Sequence, residues 1–108
     1  MSYPIEKNEL LQRVKTAVQD IVPTAKVILY GSRARGTAHI DSDWDFLILL
    51  PTPSYKQLET EIKDSLYEVE LATDTVLSSV VRTQQDWESP RYAVLPLHQQ
   101  VEQDGVVL

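Results

Sequence analysis

The segment VILYGSRARGTAHIDSDWDFLILL, residues 27–50, holds the side chains of this chain whose types and spacing are best suited to chemistry. Asp43 and Asp45 stand two positions apart at the head of an apolar run, Asp41 precedes them, and Gly31, Ser32, Arg33, Arg35 and Gly36 lie upstream. Alternate side chains of a strand share a face, so Asp43 and Asp45 emerge together, two rises of about 3.3 Å apart. Two carboxylates so placed repel, and burying them uncompensated costs several kcal/mol. A divalent cation between them removes the conflict. All-oxygen ligands and the lack of cysteine favour Mg²⁺ or Mn²⁺ over zinc. Magnesium usually combines a few carboxylates with substrate phosphates. Gly31 and Gly36 let the backbone approach a triphosphate, and the Ser32 hydroxyl and nearby amides are donors for its oxygens. For Arg33 and Arg35 two roles stay open: phosphate binding, or pairing with the abundant surface acids. Asp41 reads as a turn residue, His39 as a loop histidine and His98 as a helix-surface residue, while Trp44 and Phe46 alternate with the aspartates and belong to the core.

The elements that must position these groups can be read from periodicity. Residues 5–22 carry Leu10, Leu11, Val14, Ala17, Val18, Ile21 and Val22 at helical spacing, ended by Pro23. AKVILY, residues 25–30, is a β-branched strand stopped by Gly31, and DWDFLILL is a strand apolar on both faces, as a central strand is. Pro51 and Pro53 close it. Ser54 and Gln57 suggest a capping box before a helical stripe of Tyr55, Leu58, Ile62, Leu66 and Val69. A third strand is expected over residues 72–80, an irregular polar segment around RTQQDWESPR, and a last helix from Ala93 to Gln103 capped by Gly105. Trp87 fits either a partner surface or a satellite cluster. The expected order is α-β-β-α-β-α.

Composition removes several classes. A chain of 108 residues suits one domain, residues 1–108, with ordinary globular content: 43% hydrophobic and 24% charged. The absence of cysteine excludes disulfides and thiolate sites. The N-terminus is too charged for a signal peptide and the run Phe46 to Leu50 too short to span a bilayer, so a cytoplasmic protein without membrane contact is expected. A net charge of −6 disfavours direct nucleic-acid binding. Two phosphate and metal motifs fail on single residues. A P-loop needs a lysine after its second glycine, where Thr37 stands, and a helix N-terminus, where a second strand is expected. An EF-hand starting at Asp41 would need glycine at Phe46 and glutamate at Thr52.

GSRARG followed by SDWD resembles the G-S-x-A-R-G…S-D-x-D signature of the nucleotidyltransferase superfamily related to DNA polymerase β, specifically its minimal nucleotidyltransferases. The element order and the closing VEQDGVVL are similar to that family too, so the resemblance covers most of the chain. It implies a small α/β (α+β) domain with a polymerase β-like mixed sheet flanked by helices. It also implies transfer of a nucleoside monophosphate, AMP from ATP, with two Mg²⁺ ions, Mn²⁺ being an alternative. Asp43 and Asp45 would be catalytic and metal-binding, and Gly31, Ser32, Arg33, Arg35 and Gly36 would bind the nucleotide. The family uses three carboxylates. Asp74 is the expected third metal ligand and catalytic residue, with Glu70 its competitor. The resemblance further implies a HEPN-type ribonuclease toxin as partner, since some members silence such a toxin by adding AMP to a tyrosine. Two rivals remain: an antitoxin acting by contact alone, and the catalytic subunit of a two-component small-molecule nucleotidyltransferase.

Overall fold

The computed structural model describes residues 5–51 and 56–108. Helix α1 spans Lys7–Ile21, opened by Glu6, whose carboxylate accepts from the Asn8 amide. Strand β1 (Lys26–Tyr30) leads into a single helical turn, α2 (Ser32–Arg35), and then into β2 (Trp44–Leu50). Helix α3 (Lys56–Thr73) precedes β3 (Leu77–Thr83), short helices α4 (Gln84–Trp87) and α5 (Pro90–Ala93), helix α6 (Pro96–Asp104) and a two-residue β4 (Val106–Val107). The four strands form one mixed sheet in the order β3-β2-β1-β4, with β2 parallel to β3 and β1 antiparallel to both β2 and β4.

The central strand is apolar on both faces because both are covered. Phe46, Ile48 and Leu50 pack against Leu10, Val14 and Val18 of α1 and Ile62 and Leu66 of α3. Leu47 and Leu49 point the other way, into a second cluster with Ile28, Tyr30, Trp87 and Val101. The sheet is thus the middle layer, and the side chains of β2 switch layer at every residue. Trp87 belongs to this second cluster. His98 lies there as well: its side chain is 13% exposed and its ring stacks on Trp87 at 4.5 Å, so it is not the surface residue expected.

Several boundaries differ from the sequence reading. The third strand begins at Leu77 because α3 continues to Thr73, whose hydroxyl donates to the Val69 carbonyl. The polar segment is not irregular: Thr83 caps α4 by accepting from the Asp86 amide at 3.0 Å, and Pro90 opens α5. Gly105 ends α6, but in extended geometry (φ −64°, ψ 136°). Glycine is suited there because a Cβ would run into the Val101 carbonyl and the Ile28 side chain. Ser54 of the expected capping box lies outside the described residues. Among the described residues, no helix is long and apolar enough to cross a membrane.

Candidate functional site

The site is built where β1 ends. Gly31 has φ 79° and ψ −161°, a region essentially confined to glycine. A Cβ at this position would lie 2.5 Å from Asp45 Oδ2. The Asp45 carboxylate therefore rests against backbone that only glycine leaves bare. The Gly31 carbonyl accepts from the Ala34 and Arg35 amides at 3.0 Å each, which winds the chain into α2. The sequence reading expected no helix start after Gly31; the structure corrects this. The turn offers no carbonyl to the Ser32 and Arg33 amides, which are its free first donors. Gly36 ends the turn in left-handed geometry (φ 79°, ψ 16°), with open space around it.

The loop from Thr37 to Asp43 returns the chain to β2. His39 and Ser42 hold each other, the His39 amide donating to Ser42 Oγ at 2.8 Å and the Ser42 amide to the His39 carbonyl at 3.0 Å. His39 is otherwise an exposed loop residue, as expected. Arg33 fastens this loop. Its Nη2 donates to the Ser42 carbonyl at 2.9 Å and the Ile40 carbonyl at 3.1 Å, its Nε to Ser42 at 3.2 Å, and its guanidinium lies 4.4 Å from the Trp44 ring centroid. Those bonds direct Arg33 to the loop that carries Asp43. The other arginine, Arg35, pairs with Asp104 at 2.9 Å.

Trp44 is buried on the α1/α3 side, so Asp43 and Asp45 face the opposite side. Asp43 is exposed and Asp45 half-buried. Burial raises the Asp45 pKa above the usual carboxylate value, the Asp43 charge adds to the rise, and Arg35 opposes it. The repulsion anticipated from the spacing is thus present. Tyr30 is the antiparallel partner of Asp45, and its phenol is pushed up by burial and then by the Asp45 charge.

Asp74 is not brought to this pair. It ends α3 as a non-glycine residue with positive φ (53°) and lines a cleft of about 380 Å³ with Arg33, Asp41, Trp44 and Val76. Trp44 lines that cleft, and neither Asp43 nor Asp45 does. Among the described residues no three of His, Asp and Glu are grouped to hold a metal ion. Glu70 lies within α3, which packs on the Trp44 side, so it does not replace Asp74. The three-carboxylate cluster expected from the resemblance is therefore not formed; the helix outlasts the expected boundary and leaves Asp74 at its end. Tyr30 and Ser78, the register partners of Asp45 on the two flanking strands, and Asp104, the partner of Arg35, are residues that sequence reasoning missed. The hairpin register could have revealed Tyr30, which directly precedes Gly31.

A family model described as Nucleotidyltransferase domain matches residues 11–97, and the chain belongs to that family. Its four-stranded mixed sheet with helices on both faces is the polymerase β-like nucleotidyltransferase fold. No curated protein matches the chain significantly. Among solved structures, a chain of a toxin-antitoxin crystallised with AMP-PNP superposes with a TM-score of 0.62 at 24% identity, covering 95% of this chain and 72% of that one. A chain from a mutant of the toxin-antitoxin MntA-HpeT gives 0.60 at 25% identity, with 96% and 72% covered. Another mutant of the same pair gives 0.60 at 22%, with 95% and 72% covered.

Proposed function

We propose that the protein transfers a nucleoside monophosphate, AMP from ATP, to a hydroxyl on a partner protein, as the antitoxin of a toxin-antitoxin pair whose toxin is of the HEPN type. The observation that carries this reading is the seat of Asp45 against Gly31, which sets the Asp43–Asp45 pair beside the first turn of α2. The similarity to a toxin-antitoxin crystallised with AMP-PNP and to MntA-HpeT supports the class of partner and nucleotide. A reaction that draws on ATP fits the cytoplasmic location expected from the sequence.

The donor set suits a divalent cation. Two carboxylates converge on one face, and Asp45 holds its proton more tightly than usual, first through burial and then through the Asp43 charge, which Arg35 only partly offsets. Asp43 and Asp45 would hold Mg²⁺ or Mn²⁺, which when bound neutralises triphosphate charge and polarises the phosphorus under attack. Ser32 and the amides of its turn donate to phosphate oxygens. Arg35, already within the field of Asp45, is the arginine placed to meet phosphate, at the expense of its pair with Asp104. The acceptor oxygen forms a bond to the α-phosphorus, the bond to the bridging oxygen breaks, pyrophosphate leaves, and the hydroxyl proton passes to solvent or to a carboxylate. In-line alignment of these groups is what the site has to supply.

The second reading, neutralisation by contact alone, is favoured by one observation: the third carboxylate is not beside the pair. Incubation with labelled ATP, Mg²⁺ and the product of the neighbouring gene separates the two. Transfer reads as label and the mass of one or more AMP units on the partner, lost in Asp43→Ala/Asp45→Ala. Neutralisation of the partner by that double variant, with no label in the wild type, selects contact alone.

A further inference from the structure

The neighbours of the carboxylate pair are set by strand register. β2 and β3 run parallel with Trp44 opposite Leu77 and Asp45 opposite Ser78. Leu77 and Val81 lie in the core under α1 and α3, and the Ser79 hydroxyl accepts from Lys63 of α3 at 2.8 Å. Those three residues of β3 therefore face the helices α1 and α3. Ser78 and Val80 face the other way, and Val80 packs with the cluster that contains Leu47. Ser78 thus stands beside Asp45 on the same face, one strand spacing of about 4.8 Å away. On the opposite flank stands Tyr30. Next towards Asp43, just before β3 begins, is Val76, whose carbonyl accepts from the Trp44 amide.

A phenol, a primary hydroxyl and an aliphatic side chain are what the sheet places around Asp43 and Asp45. None is a carboxylate. Residues 1–4 and 52–55 contain no Asp or Glu, so every acid of the chain falls within the described residues. We infer that this face holds one divalent cation, taken up with the nucleotide, and that Ser78 is the residue that limits it to one. Magnesium is satisfied by one or two carboxylates, phosphate oxygens and water. Two ions about 3.5 to 4 Å apart can share the Asp43 and Asp45 carboxylates, but a second ion then needs a further anionic ligand to anchor it, and the position best placed to provide one carries an uncharged hydroxyl.

This inference rests on the nucleotide reading above, and its test separates the two. Bound Mn²⁺ is counted by electron paramagnetic resonance at saturating α,β-methylene-ATP, together with bound nucleotide, for the wild type, Ser78→Asp and Ser78→Asn. One Mn²⁺ per chain is expected for the wild type and Ser78→Asn, and two for Ser78→Asp. Two Mn²⁺ on the nucleotide-bound wild type overturns the inference and leaves the nucleotide reading standing. A folded Ser78→Asp that still binds one overturns the role of Ser78. Absence of both nucleotide and Mn²⁺ from the wild type overturns both readings. If Ser78→Asp does not fold, the wild-type count still decides the number of ions.

Discussion

Replacing Gly31 with alanine tests the construction of the site at its tightest point. The substitution has two costs. The backbone conformation of Gly31 is open essentially to glycine alone, and an alanine held there costs about 2 kcal/mol. The new methyl would meet Asp45 Oδ2 at 2.5 Å, so the carboxylate must leave its rotamer, at a further cost of about 1 kcal/mol. Together these amount to about 3 kcal/mol, a fall in Tm of roughly 12 °C for a domain of this size. A double-mutant cycle with Asp45→Ala separates the terms. Removing the carboxylate removes the collision and leaves the backbone term, so Gly31→Ala should cost about 2 kcal/mol in that background. Urea denaturation of the four proteins measures the coupling. Independent sites add to within about 0.5 kcal/mol, so additive costs would refute the contact between Asp45 and the Gly31 backbone. Gly36→Ala is the control: its left-handed backbone costs about 1 kcal/mol, and nothing lies near the added methyl.

Other outcomes follow from the same geometry. The folded Asp45 carboxyl holds its proton more tightly than in the unfolded chain, so its stabilising contribution is full below the ordinary value of 3.8 and is lost as pH rises through the folded value. Asp45→Asn should therefore melt higher than the metal-free wild type at neutral pH, with the gap closing as pH falls into that interval; thermal melts at several pH values would contradict this if the gap were reversed or constant. Arg33→Ala should cost about 2 kcal/mol in chemical denaturation, because charged hydrogen bonds to the Ser42 and Ile40 carbonyls are lost. Arg33→Lys should not restore it, since an ammonium cannot reproduce the planar fork over Trp44. Arg35→Ala, which breaks a partly exposed pair, should change stability by less than about 1 kcal/mol. Calorimetry should show it weakening ATP binding more than Arg13→Ala on α1 does; equal effects would remove Arg35 from the phosphate site.

The central strand and the acid pair were legible because alternation is a direct property of an extended chain. Trp44 and Phe46 had to point one way and Asp43 and Asp45 the other, and they do. The first helix was legible for a similar reason, its apolar positions repeating over several turns. The short helices α2, α4 and α5 and the two-residue β4 are too brief to show a period, so the polar RTQQDWESPR segment read as irregular and the turn after Gly31 as a plain loop. Asp74 was misplaced because nothing local marks where α3 gives way. Thr73 and Asp74 read as the start of a strand, yet Thr73 bonds back into the helix and Asp74 turns out of it. Arg33 could not be assigned from sequence, since its role depends on where the carbonyls of Ile40 and Ser42 come to lie.

The central claim is that Asp43, Asp45 and the Gly31–Ser32 turn together form a metal-nucleotide site. Its most direct test is the thermal shift given by Mg²⁺ and α,β-methylene-ATP in the wild type and in Asp43→Ala/Asp45→Ala. At a nucleotide concentration 100 times Kd, binding stabilises the folded state by about 2.7 kcal/mol, a rise in Tm of roughly 10 °C. That rise is expected for the wild type with both ligands, a much smaller one with nucleotide in EDTA, and none for the double variant. An equal rise in the double variant, or no rise in the wild type, would contradict it.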